Sequence, residues 1–370
     1  MKNKKFLENG EPTLLLDRET CMANISRMAE KAGRHNVRLR PHFKTHQSIE
    51  IGSWFRQSGC TCITVSSLRM AEYFAAGGWK DITVAFPANI HETDKINRLA
   101  GSISLNLVAE SAETVSLLSQ SAAHRTGLYI KVDTGYHRTG VDVKDFGSLD
   151  RIVESVSCSE NMVFKGFLAH AGHSYHVSGP DEVMKVHRQT LSCVSSLAAR
   201  YGSACPDMEI SIGDTPCCSI AEDFAGVTEI RPGNYVFYDL MQMNIGSCRF
   251  SDIAVAMAVP VVAKHRERSQ VIVYGGGVHF SKEHIQADDG TPVYGQMAEF
   301  RGDRWAEPEH RSYLTSLSQE HGIIQADPAE FDSLNVGDVI PVLPVHSCLT
   351  ANLSGFYRTL DGNIIDRHFR

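Results

Sequence analysis

The chain has 370 residues and a net charge of −7, from 36 basic and 43 acidic side chains, with 42% hydrophobic and 21% charged residues. This is an ordinary globular composition, long enough for two domains, and its mild acidity argues against a nucleic-acid or anionic-membrane partner. The longest apolar run, 253–263, is broken by Pro260 and too short to span a bilayer, and Leu14-Leu15-Leu16 is too short for a signal-peptide core, so a cytoplasmic protein is expected.

Up to about residue 240, apolar runs of strand length alternate with amphipathic stretches of helix length. Strands are predicted at 37–41, 62–65, 82–86, 104–108, 128–132, 163–170, 209–212 and 228–231. Helices are predicted at 18–32, 67–76, 111–121 and 181–201; the first has Met22, Ile25, Met28 and Ala29 on one face, and Gly202 closes the last. Eight strands alternating with helices predict an α/β fold, a (β/α)8 TIM-type barrel; a doubly wound open sheet is the alternative. After about residue 244 the pattern becomes β-rich (253–263, 270–274, 339–345), with turns such as Asp289-Gly290 and a polar stretch, 282–292, read as a surface loop. The expected division is 12–244 for the barrel and 245–370 for a smaller, mostly-β domain, with residues 1–17 packing against the latter.

Chemistry is expected at strand ends, because barrel enzymes work at the C-terminal ends of their strands. The first strand runs into Arg40-Pro41-His42-Phe43-Lys44-Thr45-His46. A neutral amine on Lys44, set beside Arg40 and two histidines, would form a Schiff base or abstract a proton; the plain alternative is a basic surface cluster. Lys131-Val132-Asp133-Thr134-Gly135-Tyr136-His137-Arg138-Thr139-Gly140 follows another strand, where Arg138 would meet an oxyanion or a ring nitrogen unless it only pairs with Asp133. His170, His173 and His176 lie three residues apart beside Tyr175, a spacing weak for zinc but suited to acid–base work. Ser211-Ile212-Gly213-Asp214-Thr215-Pro216 and Arg231-Pro232-Gly233-Asn234-Tyr235 follow the last two strands, where barrels commonly hold phosphate; Asp214 suits that role only if it points away. Tyr274-Gly275-Gly276-Gly277 follows a strand but lacks the dinucleotide spacing and a helical continuation.

The ten cysteines contain no C-x-x-C pair, so in a reducing cell they are read as packed thiols, metal ligands or reactive thiols. His346-x-Cys348, on a segment read as extended, would place imidazole and thiolate on one side and suit a zinc with open positions; the alternative is a packed cysteine beside a satisfied histidine.

Taken in this order, Pro41-His42-Phe43-Lys44-Thr45-His46, Asp133-Thr134-Gly135 with Arg138-Thr139-Gly140, Gly172-His173-Ser174-Tyr175, Arg231-Pro232-Gly233-Asn234-Tyr235 and His346-x-Cys348 resemble the D-serine dehydratase / D-threonine aldolase family, from about residue 12 to 353. These are fold-type III pyridoxal-phosphate (PLP) enzymes with an alanine-racemase-like barrel and a C-terminal β domain. The resemblance implies that Lys44 holds PLP covalently. It implies that Arg138 and Arg231 lie near the cofactor ring, Tyr175 beside it, and Thr215, Gly233 and Asn234 at its phosphate. His346 and Cys348 match the dehydratase metal pair; the aldolase branch usually has Asp in place of the cysteine, and a thiolate favours Zn2+ over other divalent metals. The implied activity is that of a PLP- and metal-dependent lyase on a small-molecule substrate, a D-β-hydroxy amino acid, foremost a D-serine-dehydratase-like elimination to a keto acid and ammonia. A D-threonine-aldolase-like cleavage to glycine and an aldehyde, with His173 as base, is the alternative. A racemase or a non-catalytic PLP-binding protein stands behind both. A homodimer is also implied.

Overall fold

The computed structural model describes residues 2–368, which form two compact units: Ser26–Gly233, and a second unit built from the chain before it together with the chain from Asn234 onward. In the first, eight parallel strands run in the order Arg38–Leu39, Glu229–Ile230, Glu209–Ile212, Met162–Ala169, Thr126–Asp133, Ser104–Ala109, Asp81–Pro87 and Ile63–Val65. A parallel bridge between His42 and Thr64 closes the ring, with Phe43 N–H donating to Thr64 O and Thr64 N–H to Pro41 O, both at 2.9 Å. Every predicted barrel strand is present. Serines start three of the helices: Ser48, Ser67 and Ser111 occupy N-cap positions and accept hydrogen bonds from the N–H groups of Ile51, Met70 and Thr114.

The barrel interior holds an ionic network among apolar layers. Glu229 is fully buried and accepts from Arg38 Nε (2.7 Å), Arg40 Nε (2.6 Å) and Ser211 Oγ (2.6 Å). Arg40, equally buried, also grips Asp81 with Nη1 (2.6 Å) and Nη2 (3.1 Å). Burial pushes the Glu229 carboxyl up, but Arg40 and Arg38 outweigh it and hold the group below its usual range. Arg40, expected as a neighbour of Lys44, is therefore committed to these two carboxylates.

The second unit is an antiparallel β-barrel. Val255–His265 pairs with both Gln270–Tyr274 and Val339–Pro344, and His321–Gln325, Tyr313–Leu317 and Gly295–Met297 complete the ring. The buried strand Thr13–Leu16 pairs antiparallel with Val255–Ala258, so the N-terminal chain joins this sheet. Two local expectations change. The stretch 282–292 contributes strands, Ile285–Gln286 pairing with Pro292–Val293, and a one-turn helix, Gly277–Phe280, follows the triple glycine.

Removing Arg40 strands a buried charge, so Arg40→Met is expected to cost about 3–5 kcal/mol in urea unfolding. Arg38→Met, whose guanidinium is partly exposed, costs less.

Candidate active site

Lys44 is exposed on the turn that follows the first barrel strand. Phe43 anchors that turn, fully buried against Phe55, Phe74 and Trp79 with ring centroids at 4.9, 4.9 and 5.2 Å. The two histidines of the motif separate. His46 lies in this aromatic core, 4.4 Å from the Phe43 ring; its Nδ1 accepts from Ser48 N–H at 3.1 Å, and burial pushes its pKa down to about 3. His42 stays with the lysine, its Nδ1 accepting from Lys44 N–H at 3.3 Å. Burial first, then Lys44, Arg231, His170 and Arg138, push His42 well below the usual imidazole range.

The turn after Thr126–Asp133 is built on Asp133. Its carboxylate accepts from the N–H groups of Gly135 (2.9 Å), Tyr136 (3.0 Å) and His137 (3.1 Å) and meets His137 Nδ1 at 2.8 Å. Burial raises this carboxyl, but those N–H groups outweigh it and hold it low. The Asp133–Arg138 pair does not form; the Arg138 guanidinium lies over the Tyr136 ring, 5.0 Å from its centroid. Tyr136 in turn gathers the three histidines: His173 and His176 stack at 6.2 and 6.4 Å, and His170 meets it edge-on at 6.1 Å. Gly172 makes this possible, since a Cβ there would sit 2.3 Å from the tyrosine ring. Among the described residues no group of three or more His, Cys, Asp or Glu is placed to hold a metal, so the histidine triplet is an aromatic cluster. His170, driven well below its usual range by burial and then by Lys44, and His173, lowered by burial, are both neutral at neutral pH.

Asp214 caps the helix Thr215–Ile220. Its Oδ1 accepts from Cys217 N–H and from Ser174 Oγ, both at 2.8 Å, and burial raises its pKa. Thr215 is buried with no hydrogen-bond partner at Oγ1, and its N–H donates to Tyr175 Oη at 3.2 Å. Gly233 lets its turn press on the lysine strand, for a Cβ there would lie 2.9 Å from His42 Cβ and O. Arg231 is buried and held rigid, donating from Nη1 to Ser211 Oγ (2.6 Å) and from Nη2 to Ala169 O (2.7 Å), and burial lowers its pKa to about 10. Lys131 is buried too, donating to Val132 O at 3.2 Å; burial, then Arg231 and Arg138, bring its pKa down to about 7.

In the second unit, the strand Val339–Pro344 ends before His346, which caps the helix Ser347–Leu353 from an extended conformation while Cys348 lies in its first turn. The two therefore do not share one face of a strand, as their i, i+2 spacing suggested. They meet around Asp239 and Asn234. Asp239 Oδ2 lies 3.6 Å from His346 Nδ1, and Asn234 Nδ2 lies 3.6 Å from Cys348 Sγ. Asn234 Nδ2 also donates to Asp239 Oδ2 (2.6 Å) and Ser347 Oγ (3.0 Å), so its remaining side-chain atom is an acceptor oxygen. Any bond from Asn234 to a phosphate therefore falls to its backbone.

These residues fit the groups the motifs imply. At the barrel mouth both carboxylates have turned onto neighbouring N–H groups, while Lys44, Arg138 and Arg231 leave positive charge and Thr215 Oγ1 keeps a hydrogen bond to give, which suits an anionic phosphate-bearing aldehyde. In the second unit one imidazole and one thiolate make an open, soft donor set of the kind a catalytic zinc takes.

The model of the alanine racemase N-terminal domain matches residues 16–240, and that described as "Putative serine dehydratase domain" matches residues 254–360. The chain belongs to the D-serine dehydratase / D-threonine aldolase family. D-threo-3-hydroxyaspartate dehydratase of Delftia sp. (strain HT23) is 31% identical over 366 residues, covering 95% of each chain. Its solved structure superposes with a TM-score of 0.89, at 29% identity and full coverage of both chains. D-serine dehydratase of Dictyostelium discoideum is 28% identical, over 95% of this chain and 93% of its own length. D-threonine aldolase of Arthrobacter sp. is 25% identical, over 96% and 90%. The D-serine dehydratase family is one of PLP-dependent lyases, and this member is accordingly an enzyme of that class with the racemase-like fold.

The motifs alone do not single out His42, Tyr136, Lys131 or Asp239. His42, Lys131 and Tyr136 lie inside marked strings, but only packing separates His42 from His46, buries Lys131 or shows that Tyr136 collects the histidines.

His46 sets a pH dependence of stability. Its imidazole protonates near 6.5 unfolded and near 3 folded, so stability that is full above pH 6.5 is lost as pH falls towards 3, by about 5 kcal/mol in total. Thermal unfolding from pH 7 to 4 is expected to show a shallower decline in Tm for His46→Phe than for the parent chain.

Proposed function

We propose that this member is a PLP- and zinc-dependent dehydratase of a D-β-hydroxy amino acid, acting like D-serine dehydratase. The observation that carries the reading is the His346–Cys348 pair, which lies in the serine-dehydratase-type segment, with His346 facing the buried Asp239 carboxylate and Cys348 lying against the Asn234 amide. A cysteine-to-alanine variant of the Delftia relative has been solved in a metal-free form (TM-score 0.90, 29% identity, 99% of each chain), which supports a metal role for the thiolate here.

The proposed roles follow from placement. Lys44, exposed at the mouth on a rigid turn, would hold the cofactor, and its amine would take the α-proton of the substrate. Arg231 is held too firmly to move and supplies fixed positive charge, which Arg138 joins from the face of Tyr136. Thr215 Oγ1, the turn at Gly233 and the backbone of Asn234 would hold the phosphate, and Tyr175 is set beside Thr215. PLP, when bound, supplies the electron sink that stabilises negative charge at the α-carbon. His346 and Cys348 would hold a divalent metal, which supplies Lewis acidity to a hydroxyl that leaves poorly by itself. The overall change balances: D-serine gives pyruvate and ammonia, the departing oxygen being restored when water adds at the α-carbon.

Aldol cleavage is the second reading. His173 favours it: burial keeps its imidazole neutral and its Nδ1 has no hydrogen-bond partner, so it is ready to take a β-hydroxyl proton. We also infer a homodimer from the family resemblance, and a cytoplasmic location.

Purified protein given PLP and Zn2+ is offered D-serine, D-threonine and D-threo-3-hydroxyaspartate, and keto acid, ammonia, glycine and aldehyde are measured together. Keto acid with equimolar ammonia is expected; glycine with aldehyde instead transfers the assignment to the aldolase reading. Lys44→Ala should lose the visible absorption band of the cofactor, and survival of that band refutes the lysine assignment. Thorough chelation is expected to abolish turnover of the parent enzyme, and unchanged turnover removes the metal from the reaction.

A further inference from the structure

Asp239 is fully buried, and among the described residues no lysine or arginine pairs with it. One oxygen plays an ordinary structural part, since Oδ1 accepts from Gln242 N–H at 2.9 Å and caps the helix Leu240–Ile245. Asn caps about as well as Asp and brings no charge into the interior. A bare carboxylate kept there is costly unless something compensates it, so the cap alone does not explain the residue.

The second oxygen does. Oδ2 accepts from Asn234 Nδ2 (2.6 Å), Ser347 N–H (2.9 Å) and Ser347 Oγ (3.2 Å), and His346 Nδ1 stands 3.6 Å away. One atom thus holds the residue between the two donors, fixes the amide whose Nδ2 lies against Cys348 Sγ, and faces one nitrogen of the imidazole. With Nδ1 directed at a carboxylate, the nitrogen left for a metal is Nε2. A carboxylate behind a metal-bound histidine fixes its tautomer and ring orientation and raises its basicity.

We propose that Asp239 is the positioning residue of the metal pair: it selects Nε2 of His346 as the metal-binding nitrogen and, through Ser347 and Asn234, sets the backbone and the thiolate of Cys348. The proposal rests on His346 and Cys348 being metal ligands. It adds that the site's affinity and geometry depend on a residue 108 positions before Ser347 in the chain.

The test uses the full-length, PLP-loaded protein and Zn2+ alone, with affinity read by competition against a chromogenic chelator. The parent chain should bind one Zn2+ tightly and Cys348→Ala should lose it. Asp239→Asn, which keeps the cap acceptor, should bind about 10- to 100-fold more weakly while its circular dichroism stays that of the parent. If Cys348→Ala binds as the parent does, the metal reading falls and the proposal with it. If Cys348→Ala loses zinc but Asp239→Asn binds as the parent does, the proposal alone is overturned. A crystal structure of the zinc-loaded parent chain decides without any variant. Nε2 on zinc with Nδ1 drawn to within hydrogen-bond distance of Oδ2 is expected; Nδ1 on the metal, or Asp239 itself ligating it, refutes the assignment.

Discussion

Glu229 sits in the barrel interior with its oxygens on Arg38, Arg40 and Ser211. Left alone, such a carboxylate would take up a proton or open the barrel; two arginines and a hydroxyl keep it ionised. Arg40 extends the arrangement to Asp81, and so spans strands that are not neighbours in the sheet. Ser211 passes it on to Arg231, whose guanidinium stands at the mouth. The cation proposed to serve the cofactor is thus the last member of a chain whose first members hold the barrel together. Its rigidity is inherited from the core.

The two units handle charge in opposite ways. At the barrel mouth positive groups crowd together and are relieved by deprotonation: His42 and His170 are neutral, Lys131 is close to it, and Asp133 and Asp214 turn onto backbone N–H groups. The unrelieved charge belongs to groups that carry it permanently or reach solvent. Around Asp239 the excess is negative, buried, and answered by neutral donors and one imidazole. An anion suits the first environment and a cation the second, which is the division of labour a phosphate-bearing cofactor and a metal require.

Much of this was legible in the residues. The barrel strands stand out because parallel strands, buried on both faces, read as short apolar runs between turn residues. Lys44 was legible because it follows such a run. What failed to show was orientation within turns, where no period says which way a side chain faces. His42 and His46 look alike in the string, yet one lies with the lysine and the other in an aromatic core. Arg40 reads as an active-site cation until Glu229, 189 residues away, claims it. The His346–Cys348 pair was found for a reason that did not hold, since the strand stops at Pro344 and a helix cap arranges the two. Asp239 carries no local signal: its partners lie in another segment, and only packing brings them together.

The seam of the barrel has a consequence for how the enzyme is made. Arg38 and Leu39, the strand that leads to Lys44, pair along one edge with Glu229 and Ile230, 191 residues later. The strand Thr13–Leu16 likewise waits for Val255–Ala258. A ribosome delivers the chain from its N-terminus, so the lysine emerges early on a strand with one edge open, and Glu229, the partner that Arg38 and Arg40 share, arrives only when synthesis is more than half complete. The mouth cannot take its working shape before then. Closure of the barrel is therefore a late event in the life of the nascent chain, set by contacts between distant segments rather than by when the lysine appears.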